Sequence, residues 1–415
     1  MSSANSPSIL VRIFNLLSSL GLATALLVIL MVETWLATLE QGDHGLHATL
    51  HKYFHYSEWY ILPDAGVFSD ALIGKYLPPL PGGYWVCALL VVNMTLGGLI
   101  RIRKGWKTAG TILAHFGIIF MIIAGGVAQL KEERGVMMLS ENENGGLPNV
   151  ADYAQSFTET VVEITEVKDG EPIGPVHFVK DAYYLDLEGN EQRTVRLPAL
   201  PFDLKLQAYV QNARPMSTSS MAPDRGEPVV DQWFLYAQEP NNETEIDTPG
   251  LHAQVLKRDG TAGEVFLLAV GARAGFTVEA DGREFVLNLS KRVWPIPFQV
   301  RLEDARSENH PNTRRPKLFE SDIVRISDGQ ESKVFIEMNE PMRYGGLTFY
   351  QRTMMNGMSG QDAEATVSGF EVVRNPSDKW PEYSIYVVGI GLVLQFVLKL
   401  GNFLFGRKSN PTPQA

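Results

Sequence analysis

Hydrophobicity is spread unevenly along the chain: three apolar runs precede residue 131, one follows residue 382, and a polar block lies between them. The runs cover residues 14–39, 84–100, 108–130 and 383–405, against the roughly 20 residues a helix needs to cross a bilayer. The second is short, and Tyr84 and Trp85 supply interfacial help at its start. Within the block, FTETVVEITEV, FDLKLQAYV, AGEVFLLAV, REFVLNL, SKVFIEM and LTFYQRT alternate apolar with polar residues, the period of a half-buried strand. Asp169-Gly170, Asp259-Gly260, Asp281-Gly282 and Asp328-Gly329 mark turns between them. No repeat period suggests a solenoid or propeller.

The pattern predicts an integral membrane protein with four transmembrane helices, three N-terminal and one C-terminal. A large external all-β, sandwich-like domain is inserted between helices three and four. The segments are a tail with the first span (1–39), an external loop (40–83), spans two and three (84–130), the β domain (131–382), the last span (383–405) and a tail (406–415). Two polar loops, SSMAPDRGEPVV and EPNNETEIDTPG, could each divide the β domain, which is treated as one.

Charge sets the orientation. Arg101, Arg103, Lys104 and Lys107 crowd the connection between spans two and three, and Arg407 and Lys408 follow span four, so both termini are expected in the cytoplasm and the β domain outside. Residues 131–382 hold 41 acidic and 26 basic side chains, a net −15 that exceeds the whole-chain −11 and argues against a nucleic-acid partner. Cys87 is the only cysteine, which excludes an internal disulfide, dithiol redox work and the CxxCH haem-attachment signature. The opening MSSANSPSIL lacks the pattern of a cleavable signal, so the first span is expected to stay as an anchor.

Candidate chemistry centres on His115, the only histidine in any expected span, since an ionisable group within the membrane is a functional-site hypothesis by default. It lies about seven residues, roughly 11 Å, from the cytoplasmic end of its helix. A metal or haem ligand and a histidine hydrogen-bonded to a neighbouring helix both fit that position. A six-coordinate haem would need a second axial ligand, from a partner or left open; Met31 and Met121 are conceivable but suit packing. In HGLHATLHKYFHYSEWY, His44, His47, His51 and His55 fall on one face of an expected amphipathic helix, as a polar face or a haem-contact surface. Glu33 is expected to reach interfacial water. Trp35, Trp59, Trp85, Trp106 and Trp380 read as an aromatic belt. There is no phosphate-binding loop, HExxH or GxSxG pattern.

Three stretches together carry a resemblance: PLPGGYWVCALLVVNMTLGGLIRIRKGWKTAGTILAHFGIIFMIIAG, NEPMRYGGLTFYQ and GFEVVRNPSDKWPEYSIYVVGIGL, with ENHPNTRRPKLFESDIVRISDG before the second. They resemble the ResB (CcsB) family of system II cytochrome c biogenesis proteins over nearly the whole chain. The resemblance implies a bacterial inner-membrane protein with its large domain periplasmic. Such a protein works with a ResC/CcsA-like membrane subunit to export haem b and join it to apocytochrome c, as part of a haem lyase complex rather than as an enzyme alone. His115 matches the family's intramembrane histidine, a proposed axial ligand. The Trp-rich external motif and paired external histidines belong to the partner subunit and are not found here, and the histidine stripe matches no family motif. With no dithiol in the chain, a thioredoxin-like reductant is a further implied partner. Tyr344, Gly345, Gly346, Phe349 and Gln351 would contact apocytochrome or partner, or simply define a turn and strand. The competing readings are a cofactor-free scaffold for a transporter and an electron-transfer cytochrome b, the latter disfavoured by a single intramembrane histidine.

Overall fold

The computed structural model describes residues 8–62, 78–141, 147–187, 189, 191–221, 229–241, 246–272, 275–313, 316–356 and 366–405. Arg407 and Lys408, most of the loop after residue 62, and parts of both long polar loops lie outside the described residues, as do two positions of the ENHPNTRRPKLFESDIVRISDG stretch. The chain divides into a helical unit, Met1–Glu132 with Asn375–Ala415, and a β unit, Glu133–Arg374.

The helical unit comprises α1 (Ile9–Leu17), α2 (Leu20–His44), α3 (Leu46–Phe54), a ribbon of β1 (Tyr60–Ile61) and β2 (Leu80–Pro81), α4 (Gly83–Met94), α5 (Ala109–Lys131) and α6 (Trp380–Phe405). A π-helical turn, Thr95–Ile100, continues α4, and a 3-10 turn, Trp106–Thr108, precedes α5. Among the described residues four helical stretches are long and apolar enough to cross a membrane: Leu20–His44, Gly83–Ile100, Trp106–Lys131 and Trp380–Leu404.

The first span differs from the expected 14–39. The apolar run is continuous there, yet the helix breaks at Ser18 and Ser19, and Ser19 caps α2 by accepting from the Leu22 N–H at 3.2 Å. The polar groups freed by the break are satisfied from α4 and the turn beyond it. Asn93 Nδ2 donates to the carbonyls of Leu17 (2.7 Å) and Ser19 (2.9 Å), and Arg101 donates to the Ser18 hydroxyl (3.1 Å). Partners on another helix make a mid-run break tolerable in an apolar setting.

Helices α5 and α6 run antiparallel at backbone contact. A Cβ on Gly110 would lie 2.4 Å from Gln395 N, and one on Gly391 would lie 2.6 Å from Ala114 N. Small residues at Gly110, Ala114 and Gly117 therefore form the groove that receives α6. Gln395 ties the crossing further, accepting from the Thr111 N–H at 3.1 Å and donating to the Lys107 carbonyl at 3.0 Å. Away from this contact α6 exposes Ile385, Ile390, Val393, Phe396 and Val397, an apolar outer face on a helix long enough to cross a membrane.

The β unit runs β3 (Glu133–Ser140), β4 (Val150–Lys168), β5 (Glu171–Lys180), β6 (Gln192–Val195), β7 (Phe202–Val210), β8 (Ala213–Ser217), β9 (Trp233–Ala237), β10 (Gly250–Lys257), β11 (Ala262–Ala269) and β12 (Phe276–Ala280). It continues through β13 (Arg283–Asn309), β14 (Pro316–Ser327), β15 (Gln330–Glu337), β16 (Met342–Tyr344), β17 (Leu347–Asn356) and β18 (Thr366–Arg374). A ten-stranded sheet has the order β15-β14-β13-β4-β3-β18-β17-β16, with β12 on β13 and β5 on β4; β11-β10-β7-β6 form a second sheet, and β8-β9 a third. The expected Asp-Gly turns at 169–170, 281–282 and 328–329 have positive φ at both residues, the two-residue hairpin geometry that suits strand twist.

Two hydrophobic cores answer whether the β unit is one domain or two. One packs Phe202, Leu204 and Phe266 of the four-stranded sheet against Val162, Phe285 and Leu287, as in a sandwich. The other gathers Leu139, Trp294, Val300, Ile323, Phe349 and Phe370 where the large sheet curls, bringing β15 against β16 and β17. β4 and β13 run through both, so the cores share a backbone. In the middle of β13, Trp294-Pro295-Ile296-Pro297-Phe298 shifts the register with β4 from Pro295↔Tyr153 to Val300↔Ala151. The last and first strands pair to their ends, with Arg374↔Glu133 as cross-strand partners joined by a 2.7 Å ion pair.

Two phenols in the first core tie its stability to pH. Tyr184 is fully buried with its hydroxyl 2.9 Å from Thr160 Oγ1, and the Tyr209 ring lies 5.7 Å away. Burial pushes both phenols up, Tyr209 to about 12. A folded-state value above the unfolded one means stability is fully present below about pH 10 and falls as pH rises beyond it, because the unfolded chain gives up those protons first. Tyrosinate absorbance of the full chain should therefore rise together with loss of β-sheet signal above that pH, and Tyr209→Phe should move the transition to higher pH.

Candidate functional site

His115 is the seventh residue of α5, and its neighbours on the helix explain its direction. Gly110, Ala114 and Gly117 face α6, which turns His115 towards the end of α4. There the imidazole lies on Gly98, where a Cβ would come within 3.0 Å of its Cγ and 3.1 Å of its Nδ1. Any side chain there would need the ring to give way. Gly98 belongs to the π-helical turn, whose widened i→i+5 backbone is a common local feature of functional sites. The ring is half-buried, and its Nδ1 is enclosed with no hydrogen-bond partner among the described residues. A buried imidazole nitrogen without a partner has a desolvated lone pair or N–H that only another group could satisfy.

The other histidines do not form one stripe. His44 ends α2, Gly45 turns the chain at φ 77°, α3 carries His47 and His51, and His55 caps it. A glycine at the helix junction divides the expected single helix, so the face shared by all four is lost. The His47 side chain lies outside the described residues. His51 and His55 stack face to face, ring centroids 4.1 Å apart and 15° from parallel, and His55 Nδ1 lies 2.7 Å from Ser57 Oγ. Imidazole lone pairs lie in the ring plane, so this stacked pair does not converge on one metal. Groups of three or more potential metal ligands are absent among the described residues.

The hairpin joining β16 to β17 separates two sets of residues that the sequence grouped together. Gly345 (φ 59°) and Gly346 (φ 76°) form the exposed tip. The partly exposed Tyr344 ring lies under the Arg325 guanidinium, whose Cζ is 3.6 Å from the ring centroid. Phe349 and Gln351, expected as contact residues alongside them, are interior. Phe349 is fully buried, and Gln351 accepts from Ser321 Oγ (2.8 Å) while donating to Ser368 Oγ (2.9 Å). Strand alternation turns both inward, so neither offers a surface to a partner.

Sequence reasoning missed Gly98, and it misplaced Glu33. Glu33 does not reach water: it is fully buried, and neither carboxylate oxygen has a hydrogen-bond partner among the described residues. The amphipathic 46–54 segment carried the missing signal, because as α3 it folds down over this part of α2 through Phe54 and Tyr53.

Three apolar helices, an inserted β unit and a closing apolar helix, each helix long and apolar enough to cross a membrane, give the pattern of a multi-pass protein with a large domain between the last two helices. The model of the ResB-like family matches residues 100–382, including His115 and the whole β unit, and the chain belongs to that family. The family is linked to cytochrome c biogenesis. No curated protein matches the chain.

Proposed function

We propose that the chain is a subunit of a haem-export and cytochrome c assembly complex in the bacterial inner membrane, with His115 an axial ligand to haem b carried as cargo. The observation that carries this reading is the His115 imidazole seated against Gly98 with its Nδ1 enclosed, which leaves Nε2 as the nitrogen open to an iron. A lone protein ligand suits an iron whose four equatorial positions are already filled by a porphyrin, whereas zinc would draw three or four protein ligands. In this reading α4 and α5 hold and orient the imidazole, and the apolar helices around it exclude water.

The remaining parts follow from family and charge. Arg101, Arg103, Lys104 and Lys107 support a cytoplasmic position for the His115 end of the bundle, where haem is taken up, with both termini there and the β unit in the periplasm. A ResC/CcsA-like membrane subunit supplies the second axial ligand and the external haem platform. Apocytochrome c is the acceptor, and a thioredoxin-like protein keeps its thiols reduced, since Cys87 alone offers no dithiol. The exposed Tyr344-Gly345-Gly346 tip is the part of its hairpin available to these partners.

The test is purification of the chain with a ResC/CcsA-like partner. His115→Ala should remove the haem absorption that copurifies with the complex and abolish holocytochrome production, while complex yield stays within about twofold of wild type. Unchanged haem absorption would favour a cofactor-free scaffold.

A further inference from the structure

Two carboxylates on one face of α2 meet opposite fates. Glu40 and Glu33, seven residues apart, are both fully buried. Glu40 is matched, with Lys52 Nζ and Tyr53 Oη each donating at 2.6 Å. Glu33 has apolar clusters one turn away on either side: Leu26, Val86 and Leu90 with Ile29 and Leu30 towards the bundle centre, and Leu36, Ala37, Tyr53 and Ile61 with Phe54 towards the other end. Gly83 closes the site so tightly that a Cβ there would lie 2.6 Å from the Phe54 ring and 2.9 Å from Glu33 Oε2.

The elements packed here against α2 are α3, α4 and the short ribbon. Among the described residues their titratable groups offer Glu33 no charge partner. On α4, Tyr84 packs its ring against Tyr56 and Trp85, and Cys87 stands one turn beyond Gly83. On α3, Lys52 and Tyr53 are committed to Glu40, and His51 is exposed; Tyr60 of the ribbon is exposed too. An ionised carboxylate so enclosed would be left without compensation, and a proton on the group removes that cost.

We propose that Glu33 is a proton-binding site: its carboxyl holds one proton while α3 and the ribbon close over it, and release of that proton opens this cap. Ionisation needs hydrogen-bond donors. The cap's ammonium and phenol, Lys52 and Tyr53, serve Glu40, and none of the described side chains donates to Glu33, so water must supply the donors, and it reaches Glu33 only when α3 lifts. The inference is independent of the haem reading, since Glu33 and His115 share no contact that it uses.

Two measurements on the full chain in membranes test it. An apolar carbodiimide, which reacts with protonated carboxyls in lipid, should modify Glu33 at neutral pH and leave ion-paired Glu40 unmodified. Glu33→Gln should lose the adduct and Glu33→Asp retain it. Labelling elsewhere with Glu33 untouched would overturn the proposal. Hydrogen exchange over residues 46–54, corrected for its intrinsic pH dependence, should quicken as pH rises in wild type and stay flat in Glu33→Gln. A rise that persists in Glu33→Gln would show that another group opens the cap and would also overturn it. Glu33→Gln should fold as wild type does, because it exchanges one neutral group for another of the same shape.

Discussion

Replacing Gly391 with leucine is expected to remove the folded helical unit altogether. A Cβ there meets Ala114 N at 2.6 Å and the Gly110 carbonyl at 2.8 Å, so the obstacle is backbone on both counts. Side chains can change rotamer to admit an extra carbon, but a helix backbone moves only as a whole. Overpacking a core typically costs about 1–3 kcal/mol, and a clash that parts two helices belongs at or beyond the upper end of that range. Parting α5 from α6 also separates Gln395 from Thr111 and Lys107, leaving polar groups unsatisfied near the start of α5. The measurement is the yield of monodisperse protein after detergent extraction, with thermal unfolding of what survives. Wild-type yield and unfolding temperature in Gly391→Leu would mean that α6 does not pack on α5 in this way. Gly389→Leu, two residues away with nothing within 4 Å, is the matched control and should behave as wild type.

The second large effect is at Gly98. A leucine there would occupy the space of the His115 imidazole, starting from a Cβ 3.0 Å from its Cγ. The atom approached is the root of the ring, so no small swing of the side chain relieves the contact. Gly98→Leu should therefore abolish haem retention as completely as His115→Ala while leaving the histidine in the sequence. Gly98→Ala, which asks the ring to give by a few tenths of an ångström, should weaken retention partially. Haem absorption of the purified complex separates the three variants. Full retention in Gly98→Leu would show that His115 binds in another orientation or not at all.

How far these sites could be read from the chain depends on whether their cause is local. The four long apolar helices and the strand alternation of the β unit follow from periodicity, because each residue's side is set by its own backbone. The break at Ser18 and Ser19 was hidden, because what makes it tolerable is Asn93, more than seventy residues away. Four regularly spaced histidines suggested one face, but Gly45 at φ 77° overrode the spacing. Glu33 looked wet by position, since a hydropathy plot contains no information about what α3 covers. Gln351 was grouped with the hairpin tip as a contact or turn-and-strand residue, whereas two serines on other strands provide it with an interior partner set. His115 itself was legible because a histidine in an apolar helix is conspicuous in any fold; Gly98 was not, since its meaning lies entirely in what faces it.

The pairing of Glu133 with Arg374 has a consequence for how such a chain could have been assembled. The β unit begins and ends on directly opposed residues of neighbouring strands, so its two chain ends lie side by side. In genetic terms it has the geometry of a cassette set into the loop of an antiparallel helical hairpin, and a cassette with adjacent ends can be exchanged or grafted without altering the spacing of the helices that flank it. The α5–α6 pair, with its own glycine seam, is then a reusable socket, and divergence among such proteins has room to concentrate in what is plugged into it.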